Sequence, residues 1–185
     1  MKTFNTYFTN QENLQEYIAI NSIVDSSSLL IQIFSCVYKE EYIAYVIVTL
    51  TNLLPRAIII GATSDGAIKD SLVSKESIVL SFTQFNVTAL KLFAVNHVQD
   101  YFEAGVLMAQ KLIATTTKVL IAFANGSLGC GDNYLKGIAS IHSNVVVAGG
   151  LASDTVGHNK SFVFAQEYII FHGAVGVALN FSTLC

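Results

Sequence analysis

Two short stretches place side chains that could do chemistry side by side. Thr63-Ser64-Asp65 follows Gly61, and Ser153-Asp154 follows Gly149-Gly150. An aspartate can hold an ammonium group through charge-assisted hydrogen bonds. Glycines let another group come close to the backbone, so nearby amides can hold a carboxylate. Together these suit a small zwitterion such as an amino acid. Asn125, at the end of another apolar run, adds a side-chain amide. The candidate ligand-binding set is therefore Thr63, Ser64, Asp65, Asn125, Gly149, Gly150, Ser153 and Asp154. The competing reading is that each Ser-Asp pair braces its own turn.

Catalytic signals are weaker. Cys130, in Gly129-Cys130-Gly131-Asp132, precedes a predicted helix, where a thiolate is favoured. His142, His158 and His172 could serve it as a base. No nucleophile elbow, Walker loop or metal-ligand spacing accompanies them. Asn125-Gly126-x-x-Gly129-x-Gly131 is glycine-rich but lacks a phosphate-binding lysine. The expectation is a binding domain with no catalytic residues, no metal and no cofactor. A protein-interaction scaffold using the aromatic residues of 161–171 is the first alternative, and a cysteine-dependent hydrolase the weaker one.

The elements that must position these residues follow from periodicity. Val145 to Gly149 and Ala57 to Gly61 read as continuous apolar strands that end at their glycines, the first buried on both faces. Gly150 is expected to need a positive φ. Lys2–Phe8, Ser28–Ser35, Ser77–Phe85, Val87–Val95, Lys118–Ala124 and Ala174–Leu179 are further predicted strands, and 161–164 with 168–171 a hairpin. Thr9 to Glu12 has capping-box spacing and opens a helix with Leu14, Tyr17 and Ile18 on one face. Glu40 to Leu54 is predicted helical and buried nearly all round. Asp100-x-x-Glu103 opens a helix whose Phe102, Val106, Ala109 and Leu112 share a face. Asp132 to Ser143 is the last predicted helix.

One offset recurs. Gly61 and Gly150 lie 89 residues apart, as do Asp65 and Asp154, Phe34 and Phe123, Tyr45 and Tyr134, and Phe4 and Phe93. A repeated offset is the mark of an internal duplication. The expected fold is α/β: one domain over 1–185, made of two strand-helix-strand-helix-strand-strand repeats, about 1–86 and 87–185, with mixed sheets layered with helices.

Composition narrows the function. The chain is 52% hydrophobic and only 12% charged, against about 25% charged in ordinary globular domains. Either the core is large, or some apolar surface is covered by a partner or second domain. A net charge of −3 without a basic cluster argues against nucleic acid. No run reaches the roughly 18 apolar residues of a membrane span, so no membrane insertion is expected. Three cysteines without metal spacing point to a reducing, cytoplasmic setting.

These residues also carry a resemblance. Ile60-Gly61-Ala62-Thr63-Ser64-Asp65-Gly66-Ala67-Ile68 resembles the GCST/SDGEI segment of the FIST family (F-box and intracellular signal transduction). Val146 to Asp154 resembles that family's VVGGLAGD segment, Val119 to Gly126 its VLVFSDG strand, and Gly173 to Leu179 the end of its N-terminal domain. Ala67 and Asn125 stand where the family often has glutamate and aspartate. The resemblance implies a sensory module that binds small ligands such as amino acids. It also implies output through a C-terminal FIST domain or a separate signalling partner, since no output domain follows in this sequence.

Overall fold

The computed structural model describes residues 1–126, 131–153, 161–166 and 168–181. Strands β1 (Lys2–Tyr7), β2 (Leu29–Ser35) and β3 (Ile58–Thr63) are separated by helices α1 (Gln11–Ile20) and α2 (Glu40–Leu53). A small hairpin, β4 (Ala67–Lys69) with β5 (Leu72–Ser74), precedes β6 (Ile78–Gln84). The order then recurs: β7 (Thr88–Val95), α3 (Tyr101–Leu112), β8 (Thr117–Asn125), α4 (Gly131–Ile141) and β9 (Val146–Ala152). The hairpin β10 (Val163–Ala165) and β11 (Tyr168–Ile170) leads into β12 (Ala174–Phe181). The strand-helix alternation is thus as expected; the β4–β5 hairpin, only three residues per strand, left no periodic signal.

The large sheets are mixed. The first runs β1-β6-β2-β3-β10-β11 and the second β7-β12-β8-β9. Alternate residues of β2 show how the layers stack, because successive side chains point to opposite faces. Leu29, Ile31 and Ile33 pack under α1 and α2 with Ile43, Ile47 and Leu50. Leu30 turns the other way and meets Ile60, Phe123, Val175 and Val177 between the sheets. On the far side Leu120, Ala122 and Ala124 pack under α3 and α4 with Met108, Leu112 and Ile138. The chain is therefore a helix–sheet–sheet–helix sandwich with three apolar layers. The apolar content fills these layers, and both sequence halves share the central one. The later half also lends β10 and β11 to the first sheet, so the sheets do not divide at residues 86 and 87.

Several local expectations change. The N-cap of α1 is Asn10, which accepts the Asn13 amide at 2.8 Å, while Thr9 Oγ1 accepts only the Asn13 side chain. Asp100 caps α3 as expected, accepting from the Phe102 and Glu103 amides. The buried face of α3, however, is Tyr101, Ala104, Gly105, Met108, Ala109 and Leu112, and Phe102 is exposed. The α2 helix is not buried all round. Tyr45 and Val48 face solvent, because α2 covers one face of a sheet and nothing covers its back. Nor do the strands end at their glycines: Gly61 lies inside β3, and Gly149 and Gly150 inside β9. Finally, β9 is no buried strand. It is a sheet edge with Val146, Ala148, Gly149, Gly150 and Leu151 exposed. Among the described residues no helix is long and apolar enough to cross a membrane.

Candidate functional site

The ends of β3 and β9 meet. Ser153 donates its amide to the Thr63 carbonyl at 3.1 Å, and Asp65 donates its amide to Ser153 Oγ at 3.1 Å. The residues that follow β3 and β9 are thus stitched together. Beside this junction a cleft of about 480 Å³ opens between the sheets. Its apolar walls are Phe34, Ile121, Phe123 and Leu151, and its polar lining comes from Gln32, Thr63 and Ser64. The backbone of Ala148, Gly149 and Gly150 forms another side. Phe34 and Phe123 pack edge to face there, with centroids 5.8 Å apart at 87°.

Four of the eight candidate residues therefore line one cleft: Thr63, Ser64, Gly149 and Gly150. Asp65 and Ser153 do not line it; each follows a lining residue or strand, and Asp65 is exposed. Asp154 lies outside the described residues, as do Cys130 and His158. Asn125 is elsewhere. It is buried, donates from Nδ2 to the Ser161 carbonyl at 2.7 Å and to the Phe171 carbonyl, and accepts from Ser161 Oγ. Its side chain ties three chain segments together.

The hydroxyls are also engaged within the protein. Thr63 Oγ1 accepts the Phe162 amide at 3.0 Å. Ser64 Oγ donates to the Gly66 carbonyl at 2.8 Å, and the Tyr38 hydroxyl donates to the Ser64 carbonyl at 2.9 Å. Turn-bracing thus describes Ser64, whereas Thr63 and Ser153 tie their strand ends to the distant Phe162 and Asp65 amides. The groups open to a ligand are the Asp65 carboxylate, the β9 backbone and Gln32. The Gln32 amide makes no hydrogen bond among the described residues and projects into the cleft from an otherwise apolar strand. The sequence reading missed Gln32. Its signal was there: a single polar residue within Leu29-Leu30-Ile31-Gln32-Ile33-Phe34.

The structure offers no catalytic set among the described residues. No group of three His, Cys, Asp or Glu side chains is arranged to hold a metal ion. Cys36 is buried, donates to the Ser74 carbonyl at 3.3 Å, and has its thiol pKa pushed up by burial. Such a thiol is inert rather than nucleophilic.

The FIST N domain family model matches residues 29–184, which include both glycine strands and the whole cleft. The chain belongs to the FIST N domain family. This is a sensory domain family of signal transduction. Curated proteins offer no match to the chain.

Proposed function

We propose that this FIST N domain senses a small polar metabolite, an amino acid or a close relative, in the cleft between its sheets. The observation that carries the reading is the convergence of β3 and β9 on a mixed apolar and polar cavity. Ligand sites are concave, mostly apolar and furnished with a few placed polar groups. In this reading Phe34, Ile121 and Phe123 contact the apolar part of the ligand. Gln32 donates to or accepts from its polar end, and exposed β9 amides face its carboxylate. Asp65 attracts its ammonium group from beside the cleft, joined by Asp154. Thr63, Ser64 and Ser153 hold the strand ends in place. The domain works in the cytoplasm, and the signal leaves through a C-terminal FIST domain or a separate partner.

The test is a thermal-shift screen against amino acids and related metabolites, followed by calorimetric titration of hits. A ligand that binds only the folded state raises its melting temperature. Gln32→Leu keeps the shape but removes the amide, and should weaken a hit roughly tenfold. Asp65→Asn should weaken it roughly 10- to 150-fold. Affinities unchanged in both variants would rule out this cleft as the binding site.

A further inference from the structure

The two large sheets share a four-strand order, β1-β6-β2-β3 and β7-β12-β8-β9, with the same parallel and antiparallel pairings. They differ at one end. The outer edge of β3 is covered by β10, which pairs antiparallel with it, Phe164 opposite Gly61. The Phe164 ring occupies the space over Gly61: a Cβ there would lie 2.2 Å from the ring. Phe164 is fully buried beneath the helices. The strand at the matching place, β9, has no described strand on its outer edge.

Register shows what is missing. Gly61 pairs with Ile33 on β2, and Gly149 pairs with Ala122 on β8, 89 residues beyond Ile33. Gly149 is therefore the counterpart of Gly61. Over Gly149, on the helix side, lies a small apolar cavity of about 160 Å³ bounded by Ala122, Ala124, Tyr134, Leu135 and Leu151. In the first sheet that space holds an aromatic ring. In the second no described residue fills it, and its rim residues Leu135 and Leu151 are 50% and 47% exposed. The Tyr134 hydroxyl beside it is buried without a hydrogen-bond partner. An unpaired, apolar strand edge is a template for another strand.

We propose that β9 is a docking edge for an extended segment of a partner protein, which adds a strand antiparallel to β9 and inserts an aromatic side chain over Gly149. The partner's chemistry is that of the internal cover: alternating large apolar residues, as in Phe162-Val163-Phe164-Ala165, with an aromatic residue facing the helices. The docking slot and the ligand cleft share the backbone of Ala148, Gly149 and Gly150 and the Leu151 side chain, but Leu135 lines only the slot and Gln32 only the cleft.

The probe is a fluorescent synthetic peptide with the sequence of residues 161–171, titrated onto the full chain. Saturable binding should place hydrogen-exchange protection on residues 146–152. Phe164→Ala in the peptide should weaken binding roughly tenfold or more, because it empties the apolar slot. Leu135→Lys in the protein, at an exposed position, should weaken it similarly without lowering the melting temperature. Gln32→Leu should bind the peptide like wild type, which separates this edge from the ligand cleft. No binding up to about 1 mM, protection on another strand edge, or indifference to both substitutions overturns the proposal. Dimerisation of the chain through residues 146–152 also overturns it, by assigning the edge to a second copy.

Discussion

Replacing Gly149 and Gly150 separately by alanine should give opposite results, although they are neighbours in one strand. Gly149 has φ +144°, a conformation that residues with a Cβ rarely adopt. A Cβ at this position would lie 1.8 Å from the Ala122 carbonyl oxygen and 2.8 Å from its carbon. These are backbone atoms of β8, so no side-chain rotation relieves the clash. Backbone strain costs about 1–3 kcal/mol, and a displaced ladder hydrogen bond leaves a polar group unmatched at about 1–3 kcal/mol more. Gly149→Ala should therefore cost about 2–6 kcal/mol, a fall in melting temperature of roughly 4–24 °C at about 2–4 °C per kcal/mol. At Gly150 an added methyl group would meet no atom within 4 Å, and φ is not positive. Gly150→Ala should be neutral, or stabilising by up to about 1 kcal/mol through the unfolded chain. The strain argument thus belongs to Gly149 and not to Gly150, where the sequence placed it. Thermal and urea melts of both variants decide the matter. Equal losses, or a Gly149→Ala melt within about a degree of wild type, less than the smallest shift worked out above, would refute the reasoning.

Other expectations follow from single contacts. Asn125→Ala leaves the carbonyls of Ser161 and Phe171 and the Ser161 hydroxyl without their partner; urea denaturation should show a loss of about 2–4 kcal/mol. Tyr134→Phe removes a hydroxyl that is buried without a hydrogen-bond partner, so its melting temperature should hold or rise, by up to about 1–3 kcal/mol of stability. Burial raises the Tyr134 pKa above its ordinary 10.0. The folded state then holds a proton that the unfolded chain releases, so stability is full below pH 10 and falls as pH rises above it; Tyr134→Phe should flatten that alkaline fall. Asn10→Ala removes the α1 cap and should cost about 0.5–2 kcal/mol, visible as earlier hydrogen exchange in residues 11–20.

Most of the secondary structure was legible because period and punctuation agreed. Asp100 before an apolar heptad-like run marked α3, and the Phe-Val-Phe and Tyr-Ile-Ile runs marked the β10–β11 hairpin. Burial was less legible. A run such as Val145-Val146-Val147-Ala148 looks the same whether both faces are covered or one edge is bare. Only the pairing of β10 with β3, and not with β9, decides it. The site was legible in part for the same reason. Glycine and Ser-Asp marked where strands meet, and Thr63, Ser64, Gly149 and Gly150 do line one cleft. Which of their atoms are already hydrogen bonded is a tertiary fact. Asn125 turns inward to Ser161 and Phe171 because the hairpin segment passes directly beneath it.

A recurring sequence offset can still select the wrong residue. An offset of 89 relates Phe34 to Phe123, and those rings touch across the central layer. It also relates Ile33 to Ala122, which hold the same place in their sheets. Carried unchanged into the next strand, it pairs Gly61 with Gly150. The ladder instead sets Gly61 opposite Ile33 and Gly149 opposite Ala122. The step from Ile33 to Gly61 is 61 − 33 = 28 residues, and that from Ala122 to Gly149 is 149 − 122 = 27, one fewer. Because side chains alternate across a strand, a slip of one exchanges the faces. The gapless match thus assigned the tight, helix-facing role to a glycine on the cleft side. The side chains divide more clearly than the glycines, since Gln32 lines only the proposed cleft and Leu135 only the proposed docking slot, while Gly149 and Gly150 line both. Gln32→Leu should consequently impair ligand binding while leaving the peptide affinity intact, and Leu135→Lys should do the reverse. The opposite pattern, with Gln32→Leu blocking only the peptide, would mean that the faces of β9 have been assigned the wrong way round.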